Sequence, residues 1–404
     1  MITKRLTTIG LTGLIAVQFA VGQKDILRLD GSKLSILEAT KFADKTFSEN
    51  KVMGAQVAVL VKGKLVWTYA YGLRNAVEKL PMTTETNTWA ASITKSVFAS
   101  WVMKLVEEKK LNLDQPVSSM LSKPLNEYEP YKGVSDELIN DPNWRLVTPR
   151  RLLSHTAGFS NLAFLSEPDQ KLRLHFKPGA RYAYSGDGLN LLQFAIEEKL
   201  GETIDIGMQR DLFTPLQMTG TGMIWKESFD ENTALRYNAY GKHIGTTRKT
   251  RARGAGSMTS NVTDLAKYIE ALLSNKFLKP GSKSQMLTRQ IEITSAHQFP
   301  TLDLTQGTEG KKVGLSYGLG WGLLLKTPYG PAFFKEGHGD GAQTYMICFP
   351  KSGTCMIILT NSDNGEFAFR PLLETIIGNT FTPWEWEGYT REAILKNDEH
   401  KPPI

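Results

Sequence analysis

In the stretch TWAASITKSVFASWVMKLVEE, Lys95 follows Ser92 by three residues at the head of a run in which Ile93, Val97, Phe98, Trp101, Val102 and Leu105 recur with helical period. The pattern predicts a largely buried helix over 92–108, with the lysine in its first turn. Both burial and the helix macrodipole work against a positive charge there. Three residues apart on a helix, serine and lysine share a face. A serine at a helix start also lies among backbone N–H groups that have no intrahelical partner, a setting that stabilises a developing oxyanion. The chemistry this suits is acyl transfer, with the serine hydroxyl as nucleophile and the lysine as its base. To act near neutral pH, Lys95 needs its pKa lowered by about three units, roughly 4 kcal/mol; burial, the helix start and a second cation can supply this together. Alone, the tetrapeptide also describes a helix-start serine beside a snorkelling lysine. The same spacing recurs at Ser48 and Lys51, in a polar helix end where solvation accounts for both.

Other catalytic patterns are missing from the sequence. The histidines His155, His175, His243, His297, His338 and His400 are scattered, with no H-E-x-x-H, so neither a metal site nor a cofactor is expected. There is no G-x-x-x-x-G-K-[ST] phosphate loop, GLGWG lies in a strand context, and G-x-S-x-G is absent. Net charge is +7 over 404 residues, and no long basic tract or aromatic-interleaved stripe points to nucleic acid. The one basic cluster, TTRKTRARGAG, reads as a solvated loop or as a rim that attracts anionic substrates. The two cysteines, Cys348 and Cys355, flank PKSG in a hairpin. A two-residue loop at Lys351-Ser352 would place them on a hydrogen-bonded pair, whose wide spacing suits a disulfide poorly.

The elements that must position Ser92 follow from the rest of the chain. Residues 1–22 carry Lys4 and Arg5, a weakly apolar run and a small-residue end, the pattern of a secretory leader; an exported protein, periplasmic or secreted and without stable membrane insertion, is expected. A helical pattern at 34–47 precedes GAQVAVLV-KGK-LVWTYAYGL, a β-hairpin. Helices and loops dominate from about 110 to 250, SNVTDLAKYIEALLS is a helix capped by Ser260 or Asn261, and strand character returns in the last third. Strands at both ends with helices between imply one sheet built from both termini and an inserted helical lobe, within a domain over 23–385 followed by a tail over 386–404. Trp384 and Trp386, at the boundary, are expected to pack the tail onto the body.

Over most of its length the chain resembles the serine β-lactamase-related family of class C β-lactamases, D-alanyl-D-alanine peptidases and carboxylesterases. The likeness runs through TWAASITKSVFA, LVEEKKLNLDQPVSSML, VTPRRLLSHTAGFSNL, FKPGARYAYSGDGLNLLQ, GAGSMTSNVTDLAKYIEALL and EGHGDGAQTYMICFPKSGTCMIILTNSDNG, in the family's order. The resemblance implies an α+β fold: an antiparallel sheet flanked by helices, plus an inserted, mainly helical lobe. It implies Ser92 as nucleophile, Lys95 as the S-x-x-K lysine and Tyr184 as the second-motif tyrosine, with either Lys95 or Tyr184 taking the serine proton. His338-Gly339-Asp340 matches the third motif, so His338 is expected to be catalytic, and the N–H groups of Ser92 and Gly341 are expected to form the oxyanion hole. Where the family usually has an asparagine in its second motif this chain has Gly186, followed by Asp187; these, with Gly339 and Asp340, are expected to contact substrate. His155 of SHTAG is expected to be structural. The implied activity is hydrolysis of a small ester or amide, or of a cell-wall peptide, through an acyl-Ser92 intermediate. A β-lactamase or carboxypeptidase, and a sensor acylated without turnover, are the alternatives. Oligomeric state is not legible.

Overall fold

The computed structural model describes residues 24–246 and 248–396; the expected leader and the end of the tail, 397–404, lie outside them. Both ends of the chain build one nine-stranded antiparallel sheet. Near the start come β1 (Gly54–Val61), β2 (Lys64–Asn75) and the short β3 (Leu80–Pro81). The last third supplies β4 (Ile291–Glu292), β5 (Leu315–Tyr317), β6 (Gly322–Leu324), β7 (Ala332–Gly339), β8 (Ala342–Phe349) and β9 (Thr354–Thr360). Their order across the sheet is β4-β5-β6-β7-β8-β9-β1-β2-β3, so the β9–β1 pair joins the two ends of the chain.

The central strands β1, β8 and β9 are buried along their whole length, because both faces of the sheet are covered. Side chains alternate along each strand. Val57, Val59, Tyr345 and Ile347 pack with α1 (Ile36–Glu49), which a Ser35–Glu38 capping box starts. Ala58, Leu60, Met346 and Ile357 face the other way, onto α2 (Ile93–Glu107). Because α2 is apolar on almost every side, it lies between the sheet and the helical lobe rather than at the surface. The lobe is organised by α3 (Gly186–Leu200), capped by Ser185 Oγ, which accepts the Gly188 N–H (2.9 Å). Then α4 (Val262–Leu273) packs back on the sheet, with Asn261 as its cap, accepting the Asp264 N–H at 2.8 Å. The helix α5 (Glu366–Ile376) lies beside α1, and two short helices, α6 (Trp384–Glu387) and α7 (Arg391–Lys396), end the described chain. Trp384 and Trp386 are buried, and Trp386 Nε1–H donates to Ser295 Oγ (3.1 Å). None of the helices among the described residues is long and apolar enough to cross a membrane.

The expectation against a disulfide is corrected by the hairpin. Cys348 and Cys355 are directly opposite and bonded, with their Cα atoms 4.1 Å apart, the close spacing of a non-hydrogen-bonded pair. The loop between the strands is Pro350 to Gly353, two residues longer than expected, so the alternation of pairs shifts by one and brings the cysteines together. Both are fully buried. Replacing both by alanine is expected to lower stability by about 2–3 kcal/mol, seen as a reduced Tm of the double variant.

Candidate active site

The start of α2 forms a tight turn. Ala91 has φ +44°, a left-handed conformation uncommon for a residue with a side chain, and it directs Ser92 into the cleft between sheet and lobe. Lys95, 3% exposed, donates from Nζ to Ser92 Oγ (3.0 Å) and to Ala255 O (2.6 Å). The ring of Tyr184 lies over two cations, with Lys95 Nζ and Lys335 Nζ each 4.9 Å from its centroid. Lys335 is fully buried on β7, and its Nζ donates to Glu336 Oε1 (2.7 Å) and Glu336 O (2.9 Å).

The electrostatics suit proton transfer. Burial pushes Lys95 below its usual lysine value, and the Lys335 ammonium adds to that. Burial opposes a phenolate at Tyr184, but Lys335 and Lys95 outweigh it and hold the hydroxyl below its ordinary value. Burial also opposes charge on Lys335, yet Glu336 and Tyr184 prevail and keep it firmly protonated. One lysine is thereby poised to lose its proton while its neighbour stays charged.

His155 holds Tyr184 in place from the flanking backbone. Its carbonyl accepts the Ala183 N–H (2.8 Å), its Nδ1 accepts the Ser185 N–H (3.1 Å), and its ring centroid is 4.5 Å from that of Tyr184. Burial, then Lys95 and Lys335, keep the imidazole well below its usual value and therefore neutral. Ser92, Lys95 and Tyr184 line the floor of a cavity of about 1030 Å³, with His155 and Lys335 behind them.

Comparison with known proteins fits this geometry. The model of the Beta-lactamase family matches residues 39–377. The chain belongs to the β-lactamase family. Among similar proteins, penicillin-binding protein 4 of Amycolatopsis lactamdurans is 24% identical over 359 residues, 83% of this chain and 87% of that protein. Lovastatin esterase of Penicillium rubens is 27% identical over 322 residues, 68% of this chain and 80% of that protein. Among solved structures, the octameric penicillin-binding protein homologue from Pyrococcus abyssi superposes with a TM-score of 0.69 at 24% identity, covering 90% of this chain and 82% of that one. The α+β fold expected from sequence is thus the fold of the β-lactamase family.

The structure brings Ser92, Lys95 and Tyr184 together; of the other expected site residues, Gly186, Asp187 and His338 line the cavity, and Gly339, Asp340 and Gly341 do not. The third-motif position next to Ser92 is taken by Lys335-Glu336-Gly337, three residues before the match at His338-Gly339-Asp340. A Cβ on Gly337 would stand 2.9 Å from Ser92 N and 2.9 Å from Ala90 O, so only glycine lets β7 run against the head of α2. Lys335 shares that face of the strand, whereas the ring of His338 takes the other and contacts Glu366 through Nδ1 (2.6 Å). Gly341 is not placed to hold an oxyanion: at the β7–β8 turn, with φ +69°, its N–H donates to the Asp363 carboxylate (2.5 Å). The backbone of His338 is better directed. Its partner Gln343 points its N–H at Thr360 on β9, so the alternation turns the His338 N–H away from β8, toward the edge where β7 meets α2. Neither Gly339 nor Asp340 lines the cavity: Gly339 packs beneath the Trp89 ring, and Asp340 O accepts from Arg236 (2.5 Å). Gly186 and Asp187 do line it, with the Asp187 carboxylate turned to the Ala163 N–H (2.6 Å).

Three contributors had no prediction. Lys335 stands in a K-x-G pattern on its strand, three residues before the histidine that matches the same motif. Asn161 accepts the Gly186 N–H on its Oδ1 (3.0 Å), and a Cβ at Gly186 would meet Leu162 at 2.9 Å and Asn161 O at 3.3 Å. The C-terminal segment supplies a wall through Glu387, Tyr389 and Ile394, for which the sequence carried no signal. Among the described residues, no group of three or more histidine, cysteine or acidic side chains could hold a metal ion.

Proposed function

We propose that this member of the β-lactamase family hydrolyses small carboxylic esters or amides through an acyl-Ser92 intermediate. Ser92 Oγ attacks the carbonyl carbon, and its proton passes to unprotonated Lys95 or to the Tyr184 phenolate. The oxyanion is held by the N–H groups of Ser92 and His338. The alcohol or amine departs with a proton returned through Tyr184, whose acidity Lys335 sets. Water then attacks the acyl-enzyme, loses its proton to the same pair and releases the acid, restoring Ser92. The observation that carries this reading is the 3.0 Å contact of a buried, charge-disfavoured Lys95 with Ser92 Oγ on the floor of an open cavity. Esters are preferred over β-lactams in this proposal because Gly186 offers no side-chain donor, and Leu162 and Asn161 fill the space such a side chain would need. Export belongs to the same proposal and is supported by the leader-like residues 1–22 and by the buried disulfide.

The test is intact-mass spectrometry and turnover together. With p-nitrophenyl butyrate, the purified chain is expected to release p-nitrophenol continuously, and rapid acid quenching is expected to show an added butyryl mass on the peptide carrying Ser92. An adduct that persists for hours without turnover would instead make the protein a sensor. Faster hydrolysis of a chromogenic cephalosporin than of the ester would make it a β-lactamase.

A further inference from the structure

The two walls of the cavity differ in how their charges are paired. On the sheet side Glu336 is paired with Lys335 (2.7 Å), Glu366 contacts His338 Nδ1 (2.6 Å), and burial pushes the Glu387 carboxyl up toward its neutral form. On the lobe side the loop after residue 247 contributes Lys249, Arg251 and Arg253. Its neighbour Arg248 pairs with Asp230 (2.7 Å), but among the described residues no carboxylate lies within 4.0 Å of the other three cations. Lys249 instead sits over the Trp89 ring, 4.5 Å from its centroid. The one acid on this wall, Asp187, is engaged by the Ala163 N–H, and burial pushes its carboxyl up toward the neutral form. Asn161 completes the wall: because its Oδ1 accepts the Gly186 N–H, the amide is oriented, and its Nδ2 is a donor with no partner among the described residues. Leu162 and Phe164 line the cavity beside Asn161, and Phe164 is 58% exposed although it is apolar.

We propose that the lobe side of the cleft is an acyl-chain subsite ending in a carboxylate site, in which Leu162 and Phe164 cover an aliphatic spacer and Arg251, Arg253 and Asn161 Nδ2 hold a terminal carboxylate. The preferred substrates are then monoesters or monoamides of dicarboxylic acids. The inference rests on the acyl-Ser92 reading above. The leaving group must lie against the proton donor, on the side of Tyr184 and Lys335, where the Lys335 ammonium is already paired with Glu336 (2.7 Å), whereas Arg251 and Arg253 on the lobe side have no carboxylate within 4.0 Å among the described residues. A substrate carboxylate is therefore directed to the acyl half.

The test compares the mono-p-nitrophenyl esters of adipic and suberic acids with p-nitrophenyl hexanoate and octanoate, matched in chain length and leaving group. At low ionic strength, kcat/KM is expected to favour at least one of the carboxylated esters by about tenfold or more, the size of one charge-assisted contact. That preference is expected to fall toward unity as salt is raised, and also in the Arg251→Gln/Arg253→Gln double variant. Equal or lower kcat/KM for both carboxylated esters in the unaltered protein would overturn the subsite while leaving the hydrolase reading intact. A preference kept by the double variant would overturn the assignment to these arginines. Absence of Ser92-dependent turnover for all four esters would remove the hydrolase reading and this inference with it.

Discussion

Ser92→Ala is expected to abolish ester hydrolysis, with kcat falling by about 10⁴–10⁶ to the level of the oxyanion donors and binding alone. The size of the loss follows from the position of the hydroxyl. Its oxygen is the contact of Lys95 Nζ within the cleft, and no other serine in the described chain stands 3.0 Å from a buried lysine at the floor of the cavity. The variant is expected to keep its fold. Ser92 is half-buried at the helix start and makes no side-chain capping bond, so removing the oxygen leaves α2 without a lost partner of its own. Lys95 keeps Ala255 O as an acceptor at 2.6 Å. Turnover measured beside the Tm separates the two effects: lost activity with an unchanged melt assigns Ser92 to the chemistry. Activity retained at more than a tenth of the original rate would remove Ser92 from the mechanism.

How much was legible differs by element, for physical reasons. The burial of α2 could be read because an apolar run at helical spacing leaves no polar face to solvate, and Ile93, Val97, Phe98 and Trp101 all prove buried. The S-x-x-K pair could be read because its two residues lie within one helical turn, where spacing fixes geometry. Tyr184 is far from Ser92 in sequence, and only the likeness to a family brought it forward. Lys335 was hidden by the strand that carries it. On β7 a shift of one residue changes the face a side chain occupies, and the sequence HGDG offered an equally plausible register. Only the close approach of Gly337 to Ser92 N decides between them. Asn161 escaped for a related reason: it and Leu162 occupy the place a side chain at 186 would need, and they do so only after the 158–162 loop has folded against α3. The cysteine pair turned on loop length, two residues against four, which moves a pair between wide and close spacing.

The corrected third motif carries a second prediction of comparable size. Lys335→Met is expected to lower kcat by about 10²–10³, the scale of removing one preorganised electrostatic group from a transition state. His338→Ala, which keeps the backbone N–H, is expected to lower it by less than about tenfold. The reverse order of losses would restore the histidine to the third-motif role. Some stability is lost as well, because Glu336, buried with Oε1 also accepting from Gln298 Nε2 (2.9 Å), loses its cation; a penalty of about 3–5 kcal/mol is expected for the broken pair. A reading independent of stability comes from pH. Hydrolysis requires Lys95 or Tyr184 in its deprotonated form, so kcat/KM rises with pH through the pKa of whichever is the base. Removing Lys335 takes a repelling cation from Lys95, which then holds its proton more tightly. It also takes a stabilising cation from the Tyr184 phenolate, whose pKa then rises. Both changes have the same sign, so the rising limb of the residual activity moves to higher pH whichever residue is the base. A limb that stays in place, or moves to lower pH, would detach Lys335 from the proton-transfer pair.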